Sequence, residues 1–195
     1  MGTDGMQLKR LLIMTVGKTH SGKTTFAKEL EQKLTNSVVI DQDNHAEFIN
    51  TYYKSLIPAQ GTNSFKYAIT NTIVDYAVQM TDFHLILCNS NRYTEGRSQI
   101  LNYFHNEGFI SVLVHFDLPN HILHERVSNT WRSKTVFRTA SNFTEVLNRQ
   151  IAATQDGEIS DPKENEADYF FVIRDSNEVH SVVQSIVDLK RFLAT

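Results

Sequence analysis

Between an apolar run and an amphipathic one, the chain reads Gly17-Lys18-Thr19-His20-Ser21-Gly22-Lys23-Thr24. This is the phosphate-loop pattern: a glycine, four residues, then Gly-Lys-Ser/Thr. No other stretch restricts the fold as much, because the pattern works only between a strand and a helix. Upstream, Leu11-Leu12-Ile13-Met14-Thr15-Val16 suits a buried strand. Downstream, Phe26, Leu30 and Leu34 stand at helical spacing among strong helix formers. Gly17 and Gly22 let the backbone turn tightly with no Cβ in the way. Successive N–H groups can then form an anion cradle, reinforced by the positive end of the helix. In the pattern Lys23 sets an ammonium on the β- and γ-phosphates, and the Thr24 hydroxyl ligates Mg²⁺. The candidate nucleotide-binding set is therefore Gly17, Lys18, Thr19, His20, Ser21, Gly22, Lys23, Thr24 and Thr25. His20 is expected to contribute mainly its backbone. The motif alone does not separate kinases from GTPases or ATPases.

The remainder alternates apolar strand-like runs with helical patterns, which predicts an α/β fold with a mostly parallel sheet. Strands are expected at about 10–16, 37–40, 84–88, 110–116 and 169–173. Helices are expected at about 23–34, 44–55, 65–80, 95–107, 120–127, 142–153 and 178–193. Ala68, Ile69, Ile73, Ala77 and Met80 lie near the spacing of a buried helical face. Asn120 reads as a helix cap, and Asn142 with Glu145 as a capping box. Five strands with intervening helices make one three-layer α/β/α domain over 1–195. Its start, residues 1–6, is expected to be disordered.

Two clusters carry candidate chemistry. Asp41-Gln42-Asp43-Asn44 follows the second strand, and in open α/β sheets ligands lie beyond the carboxyl ends of strands. Either acid could supply a general base and help hold Mg²⁺. Asp43 is the choice for the base, with Asp41 as the alternative. Asp41 could instead orient the lysine or a metal-bound water and help Thr24 hold Mg²⁺. A turn after a strand is the plainer reading of both acids. The second cluster, 126–140, holds Arg126, Arg132, Lys134 and Arg138 with no acid among them. Arginines on a closing lid, about 126–142, could neutralise a transferring phosphate and exclude water. Trp131 could stack on a base or simply pack. Tyr52, Tyr53, Phe65, Lys66 and Asn71 flank the space left for an acceptor.

Composition excludes several classes. A net charge of −3 over 195 residues implies no general attraction to nucleic acid or membrane. One cysteine, Cys88, lies in an apolar run and reads as a small buried hydrophobe, which suits a reducing cytoplasm. No apolar stretch approaches the length of a membrane span, and the first residues lack the apolar core of a signal peptide. The Met-Gly start lacks the Ser or Thr of a myristoylation signal. No histidine shows metal-ligand spacing, so no zinc site is expected.

Four segments together resemble the small P-loop kinases of the nucleoside-monophosphate-kinase-like fold. They are Gly17 to Thr24, Val39 to Asp43, Leu85 to Arg97, and Val112 to Pro119 with Glu125-Arg126 following. The likeness is nearest the group of polynucleotide 5′-hydroxyl kinases, zeta-toxin-type kinases and gluconate-type sugar kinases. It implies a five-stranded parallel P-loop NTPase sheet in the order 2-3-1-4-5, a short helical lid, and an aspartate base after the second strand. It also implies transfer of the γ-phosphate of Mg-ATP to a hydroxyl on a small molecule, a nucleoside or nucleotide, or a nucleic-acid end. Two positions depart from the pattern. Cys88-Asn89 stands where many relatives carry an acid, and no arginine follows Asp43 in Asn44-His45-Ala46-Glu47, which disfavours the nucleic-acid end. The competing class is a nucleotide-binding regulatory ATPase or switch, and the chain has no guanine-reading Asn-Lys-x-Asp stretch.

Overall fold

The computed structural model of the chain describes residues 9–137, 139–157 and 159–193. The expected disordered start, residues 1–6, and the candidate Arg138 lie outside the described residues. Five strands form one parallel sheet: β1 (Leu11–Gly17), β2 (Ser37–Ile40), β3 (His84–Leu87), β4 (Ile110–Phe116) and β5 (Tyr169–Ile173). Their order is β2-β3-β1-β4-β5, as the resemblance implied. The helices are α1 (Lys23–Lys33), α2 (Gln42–Tyr52), α3 (Ser64–Met80), α4 (Thr94–Asn106), α5 (Asn120–Ser128), α6 (Phe143–Gln155) and α7 (Val179–Phe192).

Central β1 is buried along its whole length, because helices cover both faces of the sheet. Alternation along it assigns each side chain to a side. Leu11 and Ile13 enter a core shared with α1, α5, α6 and α7. Leu12, Met14 and Val16 enter a second core shared with α3 and α4. Three layers result. Because β3 lies between β2 and β1, the carboxyl ends of these strands deliver Asp41, Asn89 and Gly17 side by side.

The phosphate loop is held by close packing. Gly17 pairs with Phe116 in β4, and a Cβ on Gly17 would lie 2.8 Å from Cβ of Phe116 and 3.0 Å from its carbonyl oxygen. Gly22 caps α1 with φ at 101°, a left-handed value that favours glycine.

Three local expectations differ from the structure. Helix α2 starts at Gln42 and not near Asn44, because the Asp41 carboxylate caps it by accepting from Asp43 N at 2.9 Å. Asn120 is the first helical residue of α5, and Pro119 holds the cap position with no side-chain bond. On α3, Ala68, Ile73 and Met80 are exposed, and the inward strip is Thr70, Val74, Ala77 and Val78. This helix covers the edge of the sheet, where β2 and β3 are four residues long, so a narrow strip suffices. The capping box of α6 forms in altered register. Asn142 accepts from Glu145 N at 2.9 Å, while Glu145 accepts from Ser141 N at 2.8 Å.

Arg97 on α4 is 1 % exposed and forms a two-point ion pair with Glu166, at 2.8 and 3.0 Å. It also donates to the carbonyls of Asn91 and Arg92, fixing the turn after β3. Burial opposes the charge of Glu166, but the Arg97 guanidinium and the Lys163 N–H outweigh it and hold the carboxyl below its usual range. Glu166→Ala would strand a buried guanidinium, so a loss of about 3–5 kcal/mol in urea unfolding is expected. A loss under about 1 kcal/mol would mean that solvent reaches Arg97. Among the described residues, no helix is long and apolar enough to cross a membrane.

Candidate active site

The turn into α1 follows from the glycines, and its interior follows from what the loop amides face. Lys23 folds back over the loop and donates to the Lys18 carbonyl at 2.5 Å and to Ser21 Oγ at 3.1 Å. Burial of its ammonium lowers its pKa to about 8. The N–H of Thr19 donates to Oε1 of Gln150 on α6 at 2.7 Å. Ser21 is buried and donates to the Lys18 carbonyl at 2.8 Å.

A cleft of about 470 Å³ opens over this loop. It brings together Thr19, His20, Gly22, Lys23, Thr24, Thr25, Asp43, Arg126 and Arg132 from the sequence-derived set. Gly17, Lys18, Ser21 and Asp41 do not line it. Asp41 lies beneath, 4 % exposed, and accepts from Thr24 Oγ1 at 3.3 Å. Burial raises its pKa. Asp43 is exposed in the first turn of α2, where its Oδ2 meets Nη2 of Arg132 at 2.9 Å.

The two described arginines are held differently. Arg126, in the last turn of α5, donates to the His20 carbonyl at 3.1 Å and to Ser176 Oγ at 2.5 Å. Arg132 belongs to the stretch between α5 and α6, which includes a 3₁₀ turn at Lys134–Val136. Its guanidinium rests 5.2 Å from the Phe143 ring centroid. The turn is tied to α2 by bonds from Asn50 to the Thr135 carbonyl and from Thr135 to Glu47.

His20 reports the local field. Its ring bonds Thr19 and Thr130 and packs edge-on against Phe143. Burial, then Arg132, Lys23 and Arg126, lower its pKa to about 4. A neutral imidazole among three cations marks an electropositive cavity suited to an anion.

Of the expected flanking residues, Lys66 lines the cleft, while Tyr52, Tyr53, Phe65 and Asn71 do not. Trp131 is fully exposed and packs on nothing. Cys88 is buried, and burial pushes its thiol up to about 12, so it stays protonated. Asn89, flagged in the sequence as part of the Cys88-Asn89 departure, lines the cleft and accepts from Gln42 N at 3.0 Å. Phe143, Val146 and Gln150 line it from α6 and were not anticipated, and nothing local marks Gln150.

The family model named AAA_33, described as an AAA domain, matches residues 12–155, from β1 to the end of α6. The chain belongs to this AAA domain family. Its solved structural neighbours include an unliganded sugar kinase from Janibacter sp., 16% identical, with a TM-score of 0.59 over 96% of this chain and 98% of that one. Kti12 of Chaetomium thermophilum, in complex with ADP-AlF3, is 16% identical with a TM-score of 0.58 over 91% and 97%. APS kinase of Mycobacterium tuberculosis, in complex with AMPPNP and APS, is 17% identical with a TM-score of 0.56 over 94% and 99%. At these identities the likeness establishes the fold, which is that of the P-loop kinases. No curated protein matches the chain by sequence.

Proposed function

We propose that this AAA domain protein is a phosphotransferase that moves the γ-phosphate of Mg-ATP to a hydroxyl acceptor. One observation carries the reading. The Asp43 carboxylate lines the same cleft as the phosphate-loop Lys23 and the lid residue Arg132. Phosphoryl transfer needs a base for the acceptor, a positioned phosphate and neutralised charge. Here Gly17 to Thr25 cradle the phosphates, and Lys23 leaves the Lys18 carbonyl for a phosphate oxygen. Asp43 takes the acceptor proton. Arg126 and Arg132 neutralise the moving group, with Arg138 a further candidate of the same stretch. Arg132 exchanges Asp43 for phosphate, which frees the base when substrate enters.

Mg²⁺ fits this donor set. Thr24 Oγ1 and Asp41 Oδ2 converge at 3.3 Å, a hydroxyl and a carboxylate of the hard-oxygen kind that the ion prefers. An ion held this way would be carried mainly by phosphates and water. When bound, it offsets charge on the phosphate oxygens.

The acceptor is read as a small molecule, as in the sugar kinase and APS kinase neighbours. Transfer from γ-labelled ATP to a panel of nucleosides, sugars, antibiotics and 5′-hydroxyl oligonucleotides tests this. One labelled product is expected. ATP binding with hydrolysis alone would favour a regulatory ATPase. The charge state of Lys23 gives a second test. Free Lys23 titrates near 8, and the bound phosphates require its charged form. Below that pH the ammonium is already present. Above it, binding must take up a proton, so ATP affinity is expected to fall toward tenfold per pH unit. Calorimetry across this range checks it, and a flat profile would contradict the depressed pKa.

A further inference from the structure

We propose that Gln150 reads the terminal phosphate of the nucleotide, its amide nitrogen donating to an oxygen of the transferring group. The inference rests on the phosphotransfer reading above. Gln150 Oε1 accepts from the loop N–H of Thr19 at 2.7 Å, across 131 positions of sequence. A backbone N–H can only donate, so the amide is oriented with its oxygen on the loop. The two donor hydrogens on Nε2 then stand beside the loop, in the cleft that Gln150 lines. Among the described residues no protein atom accepts from them.

The residue is braced from behind. Its carbonyl accepts from Arg92 at 2.7 Å and from Thr154 at 3.0 Å. Arg92 is buried in the turn after β3. The same turn grips the start of the loop, through Gly17 N to the Ser90 carbonyl at 3.0 Å and Asn91 to the Thr15 carbonyl at 2.9 Å. One turn therefore fixes both the phosphate loop and the α6 residue that meets it.

The position selects the terminal phosphate. Phe143, Val146 and Gln150 lie on one face of α6 and all line the cleft. Arg132, which pairs with Asp43, rests on Phe143. Gln150 thus shares a helix face with Phe143, which carries Arg132, a group assigned to the transferring end. Lys23, Lys66, Arg126 and Arg132 already line the cleft with four positive charges. A neutral amide adds directional donors without a fifth.

Binding of ADP and of a non-hydrolysable ATP analogue to wild type, Gln150→Leu and Gln150→Glu, by calorimetry with Mg²⁺, tests this. Gln150→Leu is expected to weaken the triphosphate analogue about tenfold and ADP by no more than about twofold. Gln150→Glu keeps an acceptor for Thr19 N–H but sets a carboxylate against the phosphate, so a larger and equally selective loss is expected. Equal losses for both nucleotides would mean that Gln150 only shapes the loop and would overturn the inference. So would a Gln150→Glu protein that binds the analogue like wild type. If Gln150→Leu fails to fold, the isosteric Gln150→Glu decides alone. A wild type that binds neither nucleotide overturns the phosphotransfer reading, and this inference with it.

Discussion

Lys23→Ala is expected to lower phosphoryl transfer by about three orders of magnitude or more and to weaken ATP binding at least about tenfold. The lysine is the one cation that projects from the loop itself into the cleft, where burial strengthens its field on a bound phosphate. In the proposed role it holds the nucleotide before and during transfer, so both binding and turnover are expected to suffer. Without a phosphate, its ammonium is occupied by the Lys18 carbonyl and Ser21 Oγ. Alanine leaves the Lys18 carbonyl bonded to Ser21 Oγ at 2.8 Å, so the unfolding temperature should change little. Transfer from γ-labelled ATP, calorimetry and thermal unfolding together check the prediction. Transfer within tenfold of wild type would remove the lysine from its role.

The loop was legible because its chemistry is written at fixed local spacing. Two glycines, a lysine and a threonine within eight residues predict one backbone path, and the flanking apolar patterns predict a strand and a helix around it. Strands β2, β4 and β5 were legible to the residue for a related reason, since each is a short apolar run ended by polar or turn-forming residues. The face of α3 was not. Its sequence is apolar on more than one side, and only the narrow sheet edge beneath it decides which stripe is covered.

Side-chain meetings across long separations leave no periodic trace. Asp43 and Arg132 are 89 positions apart, and Thr19 and Gln150 are 131 apart. Arginines in the basic stretch were legible as candidates by type. Which of them meets the acid after β2 depends on how the segment between α5 and α6 folds over α2. Gln150 was invisible for a stronger reason: a glutamine on an amphipathic helix looks like any solvated residue. The two acids after β2 were seen as a pair, but their division into a buried acid, Asp41, and an exposed one, Asp43, was not legible.

That division leads to the second large effect. Asp41 is already committed, capping α2 through Asp43 N and accepting from Thr24 at the floor of the site. Asp43 is exposed to the cleft, and among the described residues its carboxylate is paired with Arg132, a partner that phosphate can attract away. A base must be reachable by the acceptor hydroxyl and free to take its proton, which Asp43 is and Asp41 is not. Asp43→Asn preserves shape and can still accept from Arg132, but it cannot take a proton at neutral pH. It is expected to lower kcat about 10²–10⁴-fold while ATP affinity stays within about threefold of wild type. Asp41→Asn keeps an oxygen for the Asp43 N–H and loses the charge beside Thr24. Its expected signature is therefore different, a raised Mg²⁺ requirement with partial recovery at high Mg²⁺. Measuring kcat, ATP affinity and Mg²⁺ dependence for both variants separates the roles. Should Asp43→Asn turn over normally while Asp41→Asn loses kcat without Mg²⁺ recovery, the base would be Asp41. The Arg132–Asp43 pair would then be a latch that holds the lid over α2.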